Sequence, residues 1–234
     1  DLDSSTPRTV AFFDFDGTLY NGHIWQDLAR HHWAAKLHRR WVMAYVTYNM
    51  VPFPLYKLGL LSQVDFYRSW GETMAWLVRG WPVDEALDLF ECLTIEQVMP
   101  NLHIQVVDLV HQHQSQGHLV ALISGLFTPW LKMVAQRLGV SHAIGTPMEV
   151  CDGHYTGRTL RPLCQGPGIP ERAEAYFTQL GQGINWATSF AYGDSGTDTA
   201  LLSLVGQPVA VYPDEKLQAE AKVRGWPVLE EASL

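Results

Sequence analysis

Close to its start the chain runs Val10-Ala11-Phe12-Phe13 and then stops abruptly at Asp14-Phe15-Asp16-Gly17-Thr18. An apolar run of this length bounded by acids has the pattern of a buried strand that delivers side chains at its C-terminal edge. In extended backbone, residues two apart point the same way, so Asp14 and Asp16 face one pocket if the strand continues. Two like charges so close are costly unless a shared proton or a cation relieves them. A hard divalent ion such as Mg2+ is the natural remedy, because it prefers carboxylate oxygens. Taken alone, the same residues also describe an Asp-rich turn that Gly17 permits.

The rest of the chain alternates in the way such a strand requires. From about Ile24 to Glu91 the periodicity is helical, with breaks at Pro52-Phe53-Pro54, Gly59 and Gly80-Trp81-Pro82. Pro100 opens a further helix that Gly117 ends, and His118 to Ser124 forms a second buried strand running into Ser124-Gly125. Pro129 to Leu138 is helical, Ala143 to Thr146 is a short strand, and Asp152-Gly153 marks a hairpin with a type I′ turn. A helix from Pro170 to Leu180 leads to the strand Ser189 to Tyr192, which ends at Gly193-Asp194-Ser195; a helix follows from about Thr197, and Pro208 to Tyr212 is the last strand. Strand and helix repeated this way imply an α/β fold, a mostly parallel sheet with helices on both faces. In such sheets the site lies beyond the carboxyl ends of the strands, where Asp14, Ser124 and Asp194 converge.

Composition sets the outer limits. With 234 residues, 47% hydrophobic and 17% charged, the chain can bury a sizeable core and accommodate a smaller inserted domain. A net charge of −8 argues against general nucleic-acid binding. The charge is uneven: between Asn21 and Leu60 the only acid is Asp27, against Arg30, Lys36, Arg39, Arg40 and Lys57. Three scattered cysteines, Cys92, Cys151 and Cys164, suit a reducing cytoplasm and neither a disulfide framework nor a zinc site. Asp1 to Pro7 is polar and looks like a loose tail, not a signal peptide. Trp41 to Leu61 carries a single charge, but Pro52 and Pro54 interrupt it, so a helix packed in a helical subdomain is expected there and not a membrane span. Aromatics beside Arg39 and Arg40 also suit contact with an anionic membrane surface.

On its most specific stretches, Asp14-Phe15-Asp16-Gly17-Thr18 and Gly193-Asp194-Ser195-Gly196-Thr197-Asp198, with Ile123-Ser124-Gly125 between them, the chain resembles the haloacid dehalogenase-like (HAD) phosphohydrolases. It is similar to the phosphoserine-phosphatase-like branch, subfamily IB, from Val10 to about Val228. The resemblance implies a Rossmann-like core, residues 8–21 and 92–234, and a small helical cap, residues 22–91. It implies a Mg2+-dependent phosphomonoester hydrolase that works through an aspartyl-phosphate. Asp14 would be the nucleophile and Asp16 the acid and base. Mg2+ would be held by Asp14, the backbone carbonyl of Asp16 and Asp194, with Asp198 as a further ligand or support. Thr18, Ser124 and Gly125 would hold the phosphoryl oxygens.

Two departures bear on activity and substrate. The branch places a lysine at the start of the helix before the Asp194 strand, and here that position is Ile169 in Gly166-Pro167-Gly168-Ile169. Arg172, one turn on, is a candidate replacement cation, as are Arg158 and Arg161. The cap position that holds a substrate ammonium in serine-phosphate enzymes is matched by His23, and Arg68 is the nearest candidate for a substrate carboxylate. These changes point away from phosphoserine and, with the aromatics from Trp25 to Trp81, toward a small or partly apolar organic phosphate. The alternative is a phosphate-binding or regulatory protein of the same fold, weakened by loss of the lysine. Neither oligomeric state nor pathway is legible in the sequence.

Overall fold

The buried run at the start is β1 (Val10–Phe13), and it occupies a central place in a six-stranded sheet. The computed structural model describes residues 7–230, so the polar opening, Pro7 apart, lies outside the described residues. On one side of β1 lie β2 (Leu119–Phe127) and β3 (His142–Thr146); on the other lie β6 (Phe190–Gly193), β7 (Gln207–Val211) and β8 (Val228–Leu229). Every pairing in this sheet is parallel. The chain leaves β1 toward one edge and later returns to build the other, so the strand order reverses between β1 and β6. That switch point is where an open parallel sheet leaves a crevice beyond its strand ends.

Alternation along β1 feeds two apolar layers. Ala11 and Phe13 join the face covered by α6 (Ile104–Ser115) and α7 (Thr128–Arg137). Val10 and Phe12 join the face covered by α8 (Gly168–Gln179), α9 (Thr199–Leu202) and α10 (Glu215–Arg224). Phe13 stacks on Tyr192 of β6 at 4.4 Å and Phe12 on Trp186 at 5.5 Å. Each fully buried phenylalanine contributes about 1.5–3 kcal/mol, which fixes the strand that carries Asp14.

Between β1 and α6 the chain forms α1 (Ile24–Ala34), α2 (Arg39–Met50), α3 (Phe53–Lys57), α4 (Gln63–Thr73), a 3-10 turn at Met74–Val78 and α5 (Val83–Leu93). Pro52 separates α2 from α3 as expected, and no helix among the described residues is long and apolar enough to cross a membrane. Phe90 of α5 stacks on Trp130 of α7 at 4.5 Å, and the Trp130 indole N–H donates to Thr94 at 2.9 Å. The predicted hairpin is β4 (Met148–Cys151) and β5 (His154–Thr159), with positive φ at Asp152 (49°) and Gly153 (74°), the turn chemistry that Asp-Gly supplies. It pairs with the loop before α5: Gly80 N–H donates to Tyr155 and Tyr155 N–H to Trp81. The hairpin thus straps the end of the helical insertion to the sheet domain.

Several element boundaries differ from expectation and α10 has no counterpart in it; three differences bear on the site and the sheet. The helix expected at Pro100 begins at Ile104, because residues 99–101 form a separate 3-10 turn. β2 runs past Ser124 to Phe127, through a register irregularity after Ile123. β8 follows the strand expected to be last; two residues carry no periodicity by which to find it.

Candidate active site

Asp14 and Asp194 leave neighbouring strand ends. Phe13 lies opposite Tyr192 across β1 and β6, and the Asp14 N–H donates to the Tyr192 carbonyl at 3.0 Å. Asp198, in the turn before α9, brings a third carboxylate, and one oxygen from each of Asp14, Asp194 and Asp198 lies within 4.8 Å of the others. Small residues make this approach feasible. Gly17 holds φ +86°, and a Cβ there would sit 2.2 Å from Asp194 Oδ2; a Cβ on Gly193 would sit 2.6 Å from that of Asp198.

Hydrogen bonds orient the cluster. Thr18, fully buried, donates to Asp194 Oδ1 at 3.1 Å. Thr18 does not line the cavity, and its hydroxyl is held on the Asp194 carboxylate. Ser195 donates to Asp198 Oδ2 through its N–H (2.9 Å) and its hydroxyl (3.0 Å). Asp16 Oδ1 accepts the Ile24 N–H at 3.1 Å, at the first turn of α1.

Electrostatics follow from crowding. Burial, and then the charges of Asp198, Asp194 and Asp16, raise the Asp14 carboxyl well above its ordinary range. Asp194 is raised by burial and by Asp198, against the hydrogen bond from Thr18. Burial lifts Asp198 to about 6 despite its bonds from Ser195. Asp16 is pushed up to about 7, chiefly by burial, with Ile24 N–H opposing and Asp27 assisting. Three mutually repelling oxygen donors form a set that a hard divalent cation fits, since its charge removes the repulsion.

These residues open onto a cavity of about 580 Å3. Ser124 and Gly125 line it from the irregular stretch of β2, where Ser124 Oγ accepts the Leu126 N–H at 3.2 Å. Cys164 and Ile169, the latter 3% exposed in the first turn of α8, form the adjoining wall. The helical insertion supplies an aromatic wall of Trp25, Tyr45, Phe53, Phe66, Tyr67 and Trp70. Among the described residues no lysine or arginine lines the cavity, whereas five aspartates do.

The expected cations lie elsewhere. Arg68 is exposed, ion-pairs with Asp65 at 2.7 Å and does not line the cavity. On α4 the inward positions are Gln63, Phe66, Tyr67, Trp70 and Gly71, a helical spacing that turns position 68 outward. Arg172 also does not line the cavity. It lies behind Cys164, close enough that its charge opposes the rise that burial imposes on that thiol, and its Nε and Nη2 are buried without a hydrogen-bond partner. Arg158 is exposed beside Glu149, and Arg161 pairs with Glu72 at 2.6 Å. His23, at the N-cap of α1, does line the cavity, and burial lowers its pKa.

Asp214, which lines the cavity, and Asp27, whose charge helps raise Asp16, were given no role at the site from the sequence. Asp214 caps α10 through the Leu217 N–H (2.7 Å) and accepts from Gly196 N–H (3.3 Å) and from Gln63 Nε2 (2.9 Å), which ties the insertion to the sheet domain. Its position before a helical run signals the cap, but the Gln63 partner lies 151 residues away. Asp27 is buried, accepts from Tyr20 OH at 2.5 Å and pairs with Arg30.

Residues 11–203 match the family model described as haloacid dehalogenase-like hydrolase. A phosphoserine phosphatase of Mycobacterium tuberculosis is 31% identical over 223 residues, spanning 94% of this chain and 70% of the relative. A histidinol-phosphatase of Neisseria meningitidis is 29% identical over 234 residues, spanning 95% of this chain and 98% of the relative. Among solved structures, a protein of unknown function from Bordetella pertussis Tohama I superposes with a TM-score of 0.78 at 29% identity, covering 96% of this chain and 99% of that one. A substrate-bound phosphoserine phosphatase complex gives 0.65 at 18% identity, with 97% and 94% covered, and shares the fold.

Proposed function

Because the chain belongs to the haloacid dehalogenase-like hydrolases, we propose that it is a phosphomonoester hydrolase in which Asp14 is the nucleophile and Asp16 its acid and base. The observation that carries this reading is the convergence of Asp14, Asp194 and Asp198 within 4.8 Å at the switch point of the sheet. An Asp14 oxygen attacks phosphorus, the bond from phosphorus to the ester oxygen breaks, and Asp16 gives that oxygen its proton. Asp16 then takes a proton from the water that attacks the aspartyl-phosphate, releasing phosphate and restoring Asp14. A carboxyl at about 7 suits both halves of this cycle, because it exchanges a proton near neutral pH. Mg2+ suits the oxygen-only donor set; held by Asp14, Asp194, Asp198 and the Asp16 carbonyl, it supplies positive charge to the phosphoryl group. Ser124 and Gly125 position the phosphoryl oxygens, and the helical insertion, residues 22–91, acts as a cap joined to the core by Gln63 and Asp214.

The lining disfavours phosphoserine, because no lysine or arginine meets a substrate carboxylate. An aromatic wall beside acids favours an organic phosphate that is apolar, neutral or basic, and histidinol phosphate belongs in the test set. The lack of a lining cation also favours one second reading, a phosphate-binding protein with little turnover. Phosphate release from a broad phosphomonoester panel, with and without Mg2+, on wild type and Asp14→Asn, separates the two. Activity that needs both the metal and Asp14 supports hydrolysis; no activity on any member, with phosphate still bound, supports the second.

A further inference from the structure

Surface helices normally turn polar residues to water, but the outer edge of α2 and α3 does not. Met43, Tyr48, Val51 (72% exposed), Leu55, Leu58 (72%) and Leu60 (73%) are all exposed there. An exposed apolar group of this extent marks a surface that docks on something. The flanking charges are cations whose charged heads lie over aromatic rings: Arg39 over Trp33 at 5.0 Å, Arg40 over Trp41 at 5.6 Å and Lys57 over Phe53 at 5.5 Å. The one acid in residues 21–60, Asp27, is buried and paired with Arg30. That stretch is therefore net +4 in a chain that is net −8.

We propose that the outer edge of α2 and α3 docks on an anionic lipid bilayer, with Val51, Leu55, Leu58 and Leu60 entering the headgroup boundary and Lys57, Arg39 and Arg40 meeting lipid phosphates. Charge decides between this occupant and a second copy of the chain. An isologous dimer through this patch sets cations against the same cations, whereas an anionic surface attracts this half and repels the acidic remainder, which fixes the orientation. The cavity joins the same surface, since Met50 and Phe53 line it and Val51 and Leu55 lie beside them in the chain. An amphiphilic substrate can then pass between lipid and cavity with its apolar part shielded from water. That last consequence rests on the phosphomonoesterase reading; the docking does not.

The test is co-sedimentation of the whole protein with vesicles of phosphatidylcholine alone and with about one-third phosphatidylserine, at two salt concentrations. The variants are Leu58→Glu/Leu60→Glu and Val51→Glu, with sedimentation equilibrium and hydrolysis of p-nitrophenyl phosphate run alongside. Binding to the anionic vesicles that weakens with salt, and that falls at least about tenfold in each variant while soluble hydrolysis is unchanged, is the expected result. No binding to anionic vesicles, equal binding to neutral ones, or a dimer that the variants split without any vesicle binding overturns the docking. Loss of soluble hydrolysis in wild type bears on the phosphomonoesterase reading alone.

Discussion

Asp198→Asn should stabilise the metal-free protein while removing its response to Mg2+. Two unit charges within 4.8 Å of each other repel by at least about 3.5 kcal/mol at an effective dielectric constant of about 20. The rise of the Asp198 carboxyl from 3.8 to about 6, caused chiefly by burial, corresponds to about 3 kcal/mol. Against this, the amide keeps one acceptor for Ser195 but gives up charge-assisted bonds, a loss of about 1 kcal/mol. The net gain is about 2 kcal/mol, or about 4–8 °C in Tm for a chain of this size. The sign with pH is fixed, since a folded carboxyl above its unfolded value binds protons more tightly in the fold. Metal-free wild type therefore loses stability as pH rises from 3.8 through about 6, and the full penalty is present above that. The difference between variant and wild type should grow from pH 5 to pH 8. Buried His32 and His113, both pushed down to about 4 by burial, act alike in the two proteins and cancel in that difference. Thermal unfolding in EDTA and in excess Mg2+ measures it. A variant less stable than wild type in EDTA at pH 8, or an undiminished Mg2+ shift, would refute the view that these carboxylates form a strained cation site.

Ile169→Lys should raise kcat/KM on small phosphomonoesters by about 10- to 100-fold, since a partly desolvated cation beside the phosphoryl group contributes about 1.4–2.8 kcal/mol; no gain means that another cation already acts there. Gly17→Ala should cost more than about 2 kcal/mol of stability or most of the activity, because the methyl group falls 2.2 Å from Asp194 Oδ2 at positive φ, and denaturant titration with a rate assay separates the two losses. Arg68→Gln should leave kcat/KM within about twofold, since its partner is the half-exposed Asp65 and a surface pair is worth at most about 1 kcal/mol.

What was legible in the sequence is what local chemistry dictates. Val10 to Phe13 carries the pattern of a buried strand, and the acids that follow it, which alone also suit a turn, gain their place at its edge from the strands that end at Ser124 and Asp194. Asp152-Gly153 specified its turn because few residues tolerate two successive positive φ values. Arg68 turns away from the cavity for a different reason. Sequence spacing puts it near the site, but the side on which a helical residue faces is set by the whole amphipathic stripe, and Phe66, Tyr67 and Trp70 claim the inward side of α4. Asp214 and Gln63 meet only when the insertion folds over the sheet, so no local pattern announces the pair. β2 overran its expected end because the irregularity after Ile123 presents Ser124 within a strand and not past it.

Ile169 is the residue whose meaning changes most on the fold. As a departure from a motif, it reads as a cation lost from an otherwise unchanged site. In place, it is a packed member of the apolar layer that contains Ile144, Cys164, Ala173 and Phe177. The neighbouring Cys164 thiol, pushed up to about 12 by burial, stays neutral, so this whole wall is uncharged at neutral pH. A lysine there would leave that layer and give up the burial of an isoleucine, about 1.5–3 kcal/mol. The wall is therefore core, and on the proposed mechanism charge neutralisation would fall chiefly to the cation that the aspartates would hold. On that mechanism, the aspartates that would hold the cation would govern phosphate affinity as well as chemistry, because no lysine or arginine among the described residues lines the cavity to oppose their charge.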